Sequence, residues 1–469
     1  MTDFFKCSSL LGDEVVSKMA RARRFLQSRA PHELLPQVGR TLKRYALTSS
    51  RPDKRTFPVA YGGGKPCGDD LLAGHGMFYI TEAGKLMLDC TSGHYQMTWG
   101  YNHPELCALA AEAAKLGIVW DNHSNIPSMP VKILAEKLVA LAGGNGTGLN
   151  RVLLGLCTGS VACGAALKIM LMRYAMDRAR TRLNAPVIIA LSGNYHGTDI
   201  VAQTMRGMWP GLLGKIQIVQ VQPNDCAMLR GEFRRYGRRV AGFWAEPIMM
   251  NREAILLDAN FLGLARDLCT KHGALMALDE IQTGFWYPEV FYFRRLGVVP
   301  DLLVVGKGMT AGFHPLSALI FREELDILEQ YDAISTNGLA SLAALIALGN
   351  ISLIEQQRQQ LARLTTRHQR GLETLAREFP QIIERVNGSG FLTGLKFRRR
   401  EDALGMHQAA LGRGLWLRVH AYHEGHRTVL MKYALVVDEA VVDWVLEAIR
   451  DLLRSTPWRR GGTGKSVAL

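Results

Sequence analysis

A chain of 469 residues exceeds what one hydrophobic core usually supports, so one large domain and at least one smaller one are expected. Its 48% hydrophobic content excludes wholesale disorder, and its apolar runs are strand-sized, too short for a membrane-spanning helix. The net charge of +14 raises nucleic acid as a partner, but residues 1–60 alone hold twelve Lys and Arg against five Asp and Glu, and a basic tail follows Arg454; solvated basic ends are expected, with no nucleic-acid or membrane partner.

Met1–Gly12 has no apolar run after a basic start, so no secretory leader is expected. The eight cysteines contain no C-x-x-C and read as reduced thiols of a cytoplasmic protein. Asp13–Tyr45 is helical and basic in pattern, and Ser49–Lys65 is a joint rich in Pro, Gly and Ser, so 1–65 reads as an extension and linker. Met77–Cys90 reads as β structure with Glu82–Lys85 as its turn, within a segment 66–125 assigned to a small domain. Over 126–340, strands are expected at Arg151–Leu156, Pro186–Leu191, Ile216–Val221, Val240–Ala245, Ala274–Asp279, Asp301–Val305 and Leu316–Phe321, with helices at Val161–Arg180 and around Phe261–His272. Strands separated by helical crossovers call for a mostly parallel sheet, with ligands at its carboxyl ends. Residues 341–455 change character: Ser341–Ala376 is helical, Gly388–Phe397 turn and strand, Trp416–Val419 and Val429–Tyr433 strands, and Asp438–Leu453 a closing helix. That is a small α+β domain, followed by a basic tail over 456–469.

Three strand ends carry candidate chemistry. Cys157-Thr158-Gly159-Ser160 falls between a strand and a helix, where free backbone N–H groups suit a phosphate, although a Thr or Ser cap there is more often plain structure. Asp279 closes a buried strand in LMALDEIQTG, and such a carboxylate can keep a heteroaromatic nitrogen protonated. Lys307 closes another in LVVGKG, and a desolvated lysine amine can condense with an aldehyde. An apolar strand ending in Asp-Glu also occurs in ATPases, but the one phosphate-loop candidate, Gly461–Ser466, lacks the first glycine and a preceding strand.

Tyr195-His196-Gly197, Glu246-Pro247, Asp279–Gly284 and Lys307-Gly308, in that order, resemble the class III aminotransferases, pyridoxal-5′-phosphate (PLP) enzymes of fold type I. Leu88–Pro104 (LDCTSGHYQMTWGYNHP) and Asn337–Leu345 extend the similarity. The resemblance implies an α/β fold-type-I architecture, a large domain with a mostly parallel sheet plus a small α+β C-terminal domain. It implies PLP as cofactor, with Lys307 as its Schiff-base residue and proton shuttle, Asp279 on the pyridinium nitrogen and Tyr195 on the ring. His196 and Glu246 would belong to the same cofactor site, Gln282 would approach the ring hydroxyl, and Gly159 and Ser160 would hold the phosphate. It further implies a homodimer with shared sites. Ala333 falls where the partner subunit usually offers a threonine, so Ser335 and Thr336 are the candidates for that contact.

The departures bear on substrate. Val161 replaces an acidic residue of the family's pattern, and Phe285-Trp286-Tyr287 adds bulk near the mouth. In VLMKYALVV, Leu430 stands where many members have the arginine that grips a substrate carboxylate. Arg418, Arg427 and Lys432 are candidates to compensate, against a plain reading as surface charges. His94, Tyr95, Trp99 and Trp286 offer aromatic and imidazole groups in pocket segments, so His94, Tyr95, Trp286 and Arg418 are the substrate candidates. The expectation is amino transfer between an amine or amino-acid donor and a carbonyl acceptor, on a non-standard substrate bulkier or less acidic than glutamate. The alternative within PLP chemistry is a racemase, decarboxylase, lyase or carbon–carbon bond-forming enzyme. A catalytically silent binding protein is a third reading, which the complete set of Lys307, Asp279 and Tyr195 weighs against.

Overall fold

The computed structural model describes residues 6–48, 70–122, 126–183, 185–207, 215–329, 332, 339–420 and 425–460. The expected joint at 49–65, Ser335, Thr336 and the end of the tail lie outside them. No helix among the described residues is long and apolar enough to cross a membrane.

In chain order, β1 (Leu71–His75), β2 (Phe78–Thr81) and β3 (Leu86–Asp89) form an antiparallel meander. Then come β4 (Leu149–Leu156), β5 (Val187–Leu191), β6 (Gln217–Val221) and β7 (Val240–Ala245), a two-residue hairpin of β8 (Ile248–Met249) and β9 (Ile255–Leu256), and β10 (Leu275–Asp279), β11 (Leu302–Val305) and β12 (Ser317–Arg322). A seven-stranded sheet has the order β4-β12-β11-β10-β7-β5-β6. Only β12 runs against its neighbours, β11 and β4. All seven expected strands are present in it, within two residues of their expected limits. They were legible because β5, β7 and β11 are buried along their whole length, as strands covered on both faces must be. Successive residues of β10 feed opposite faces: Ala277 enters a core built with the helix Gly159–Met176, Met276 and Leu278 the larger core on the other side.

The last third supplies β13 (Ile383–Ser389), β14 (Leu392–Phe397), β15 (Leu415–Trp416), β16 (Arg418–His420) and β17 (Thr428–Met431). β13-β14-β17-β16 is an antiparallel sheet, whereas β15 leaves it to pair in parallel with β3, tying this third of the chain to the N-terminal meander. Two elements differ from expectation. Ser341–Ala376 is not one helix but two, Ser341–Gln356 and Arg358–Glu378, meeting at Gln357; the first is buried around much of its girth and the second is strongly amphipathic, a change of face that helix-forming residues do not reveal. The helix beginning at Asp13 ends at Gln27, and Pro31 opens a separate single turn.

Candidate active site

Asp279 pairs with Val304 in the parallel ladder of β10 and β11, so the two strands finish side by side and Lys307, three residues beyond Val304, emerges next to Asp279. A cavity of about 430 Å³ opens at these ends, lined by Thr158, Gly159 and Ser160 from the loop after β4, Tyr195 and His196 from the loop after β5, and Asp279, Gln282 and Lys307. Of the eight cofactor candidates from Gly159 to Lys307, all but Glu246 therefore share one cavity wall. Glu246 lies behind that wall, its carboxylate accepting the Tyr195 N–H at 2.8 Å and a Gln282 side-chain N–H at 3.3 Å.

The wall is built from bonds that leave little freedom. The Asp279 carboxylate is bonded to His196 Nδ1 at 2.7 Å and accepts the Ile281 N–H at 3.0 Å. Cys163 Sγ lies 3.6 Å from the same carboxylate, one helical turn after Gly159, a spacing from which the sequence could have placed it here. Burial, with Asp279 adding repulsion, pushes the Cys163 thiol well above its ordinary value, so it remains a thiol. Gly197 has φ +129°, and Ser160 fills the space where a side chain would start, so the turn after His196 closes over the beginning of the helix Gly159–Met176. That 18-residue helix directs its unpaired N–H groups at the cavity.

Lys307 itself takes φ +43°, left-handed backbone that costs a non-glycine residue about 1–3 kcal/mol. The turn is held by Asn350, fully buried, whose amide donates to the Gly308 and Met309 carbonyls at 2.8 and 2.9 Å and accepts the Trp99 indole N–H at 2.8 Å. Trp99 thus supports the lysine turn from behind and does not line the cavity. Burial lowers the Lys307 amine below the ordinary lysine value, while Asp279 and Glu246 act the other way. Burial raises Glu246 to about 7, with Asp279 reinforcing the rise.

The four substrate candidates gather in a cluster beside this cavity rather than on its wall. Arg418 contacts the His94 imidazole and stands 5.9 Å from the Tyr95 ring centre. Ser92 to Tyr95 all have positive φ, a left-handed turn in which only Gly93 is at ease. Trp286 and Tyr95 are buried and enclose the ammonium of Lys432, 4.1 and 5.0 Å from their ring centres. Lys432 is fully buried and donates to the Gln282 carbonyl at 2.5 Å, so its reading as a surface charge is overturned. Arg427 is engaged elsewhere, with Glu384 at 2.7 Å.

An aldehyde-bearing aromatic phosphate would meet an amine at Lys307, a buried carboxylate at Asp279, an aromatic face at Tyr195 and a helix N-terminus at Gly159 and Ser160. Buried polar atoms without a protein partner remain there, among them Gln282 Oε1, so the residues present fit such a group. The family description "Aminotransferase class-III" matches residues 70–453. Among curated relatives, the mitochondrial ornithine aminotransferase of Oryza sativa subsp. japonica is 26% identical over 334 residues, covering 69% of this chain and 68% of the relative. The acetylornithine aminotransferase of Thermosynechococcus vestitus is 28% identical over 403 residues, covering 81% and 91%. A transaminase structure from the marine bacterium Virgibacillus superposes with a TM-score of 0.76 at 21% identity, covering 87% of this chain and 99% of that one, and carries the same fold. The chain belongs to the class III aminotransferases, PLP-dependent enzymes of fold type I.

Proposed function

We propose that this aminotransferase works on a substrate outside the common glutamate couple, with Lys307 as its catalytic amine. The observation that carries the assignment of Lys307 is its position: a buried lysine at a strand end, beside Asp279, with its Nζ 5.9 Å from the Tyr195 ring centre. When bound, PLP supplies an electron sink for the pair left on the substrate α-carbon. Lys307 anchors the cofactor, and its Nζ, lowered by burial, then takes the α-proton. Asp279, oriented by His196, holds the ring nitrogen in its protonated form. With PLP bound, Tyr195 would cover the ring, Gln282 would serve the ring hydroxyl and Gly159 with Ser160 would hold the phosphate, while Glu246 fixes Tyr195 and Gln282 in place.

The reading of an unusual substrate rests on Leu430, which is fully buried and offers no charge where many members place an arginine. We further place the working enzyme in the cytoplasm as a homodimer, with Ser335 or Thr336 completing the partner's phosphate site. Free buried thiols at Cys90, Cys163 and Cys269 favour a reducing compartment. A single-turnover assay tests the reaction class. An amino donor should convert the bound PLP to pyridoxamine phosphate; exchange of the α-proton with no pyridoxamine phosphate from any donor would favour the racemase, lyase or decarboxylase reading.

A further inference from the structure

We propose that Cys163 is a positioning residue for the electron sink: its thiol donates to Asp279 and sets how much negative charge that carboxylate presents to the cofactor ring nitrogen. This deepens the reading of Asp279 given above and rests on it. Cys163 belongs to the core between the helix Gly159–Met176 and the sheet, together with Ala277, Trp244 and Ile281. Its Sγ stands 3.6 Å from Asp279 Oδ2. His196 Nδ1 meets the same oxygen at 2.7 Å, while the Ile281 N–H takes Oδ1 at 3.0 Å. Helix, loop after β5 and end of β10 thus bring Cys163, His196 and Asp279 together, their heteroatoms within 4.8 Å of one another and all three residues buried.

A thiol is a weak donor, but its acceptor here is charged and its surroundings are dry, and both conditions strengthen the bond. Burial foremost, then the charge of Asp279, holds the thiol well above its ordinary value, so it acts as a donor and not as a second anion. A donor draws charge from the carboxylate it faces. Without the thiol, Asp279 presents more negative charge, and positive charge on the bound cofactor is held to a higher pH. The same follows if the ring proton moves onto the less-bonded carboxylate, because a neutral ring withdraws fewer electrons from the nitrogen joined to Lys307. Both routes give one sign: losing the thiol raises the pH at which the cofactor's visible absorption band titrates.

The test is a pH titration of that band in the holoenzyme, for wild type, Cys163→Ala, Cys163→Val and Cys163→Ser, with melting curves confirming that each folds. Alanine and valine should each raise the midpoint by at least about 0.3 pH unit, and serine, which restores a donor, should recover at least about half of that shift. Alanine leaves a void that valine fills, so a shift common to both reports the missing donor and not the changed packing. A wild-type midpoint in both alanine and valine variants, or a serine variant that shifts as far as valine, would overturn the role of the thiol. Asp279→Asn separates this from the reading beneath it. A midpoint moved by Asp279→Asn but not by Cys163→Val strikes the thiol alone, whereas a midpoint unmoved by Asp279→Asn strikes the role of Asp279 and the thiol with it.

Discussion

Asp279 serves two sides at once: it is tied to His196 and the Ile281 N–H, yet it faces the cavity. Asp279→Asn keeps the shape and loses the charge, so kcat/KM should fall by about 2–4 kcal/mol of transition-state stabilisation. Activity within about threefold of wild type would contradict the role. Glu246 gives a stability test. Its proton is retained in the fold up to about pH 7, whereas the unfolded chain releases it near the ordinary 4.5. Between those values the unfolded state binds fewer protons, so stability from Glu246 is present below the window and is lost as pH rises through it, by up to about 1.4 kcal/mol per pH unit. Denaturant unfolding of wild type and Glu246→Gln should show the wild-type advantage shrinking across that window; a flat or rising difference would reject it. Lys307, Asp279 and Tyr195 were legible because each sits in a motif whose order along the chain is itself informative. Lys432 was not, since nothing local in VLMKYALVV announces that Trp286 and Tyr95, distant in sequence, will enclose it. Trp99 misled for the same reason: its indole is claimed by Asn350.

At the scale of elements, the lysine turn depends on a helix distant in sequence. Asn350, on Ser341–Gln356, satisfies two carbonyls of the turn and the Trp99 indole together. Asn350→Ala orphans all three in a dry environment, so unfolding stability should fall by about 2–4 kcal/mol and cofactor should be retained less well. A loss below about 0.5 kcal/mol in chemical denaturation would show that the turn holds itself. The seven-stranded sheet was readable because fully buried strands are continuous apolar runs. The strand β1 was not anticipated: LLAGH pairs with β2 but carries a glycine and an exposed Leu71, which blurs the signal. Packing, not propensity, breaks the chain at Gln357, so composition alone joined the two helices into one.

At the scale of the whole molecule, one cavity draws on loops after β4, β5, β10 and β11, and β15 pairs with β3 across more than three hundred residues of chain, so contacts distant in sequence build both the site and the subunit around it. Light scattering should give a dimer; a monomer with full cofactor occupancy would refute shared sites. We assign the cofactor to Lys307, and a buried competitor, Lys432, lies close enough to interact with it electrostatically. Borohydride reduction of the purified holoenzyme, followed by peptide mass mapping, decides between them. One reduced cofactor per chain should appear on the peptide containing Lys307, and none in Lys307→Ala; the same mass on Lys432, or an undiminished label in Lys307→Ala, would rule Lys307 out.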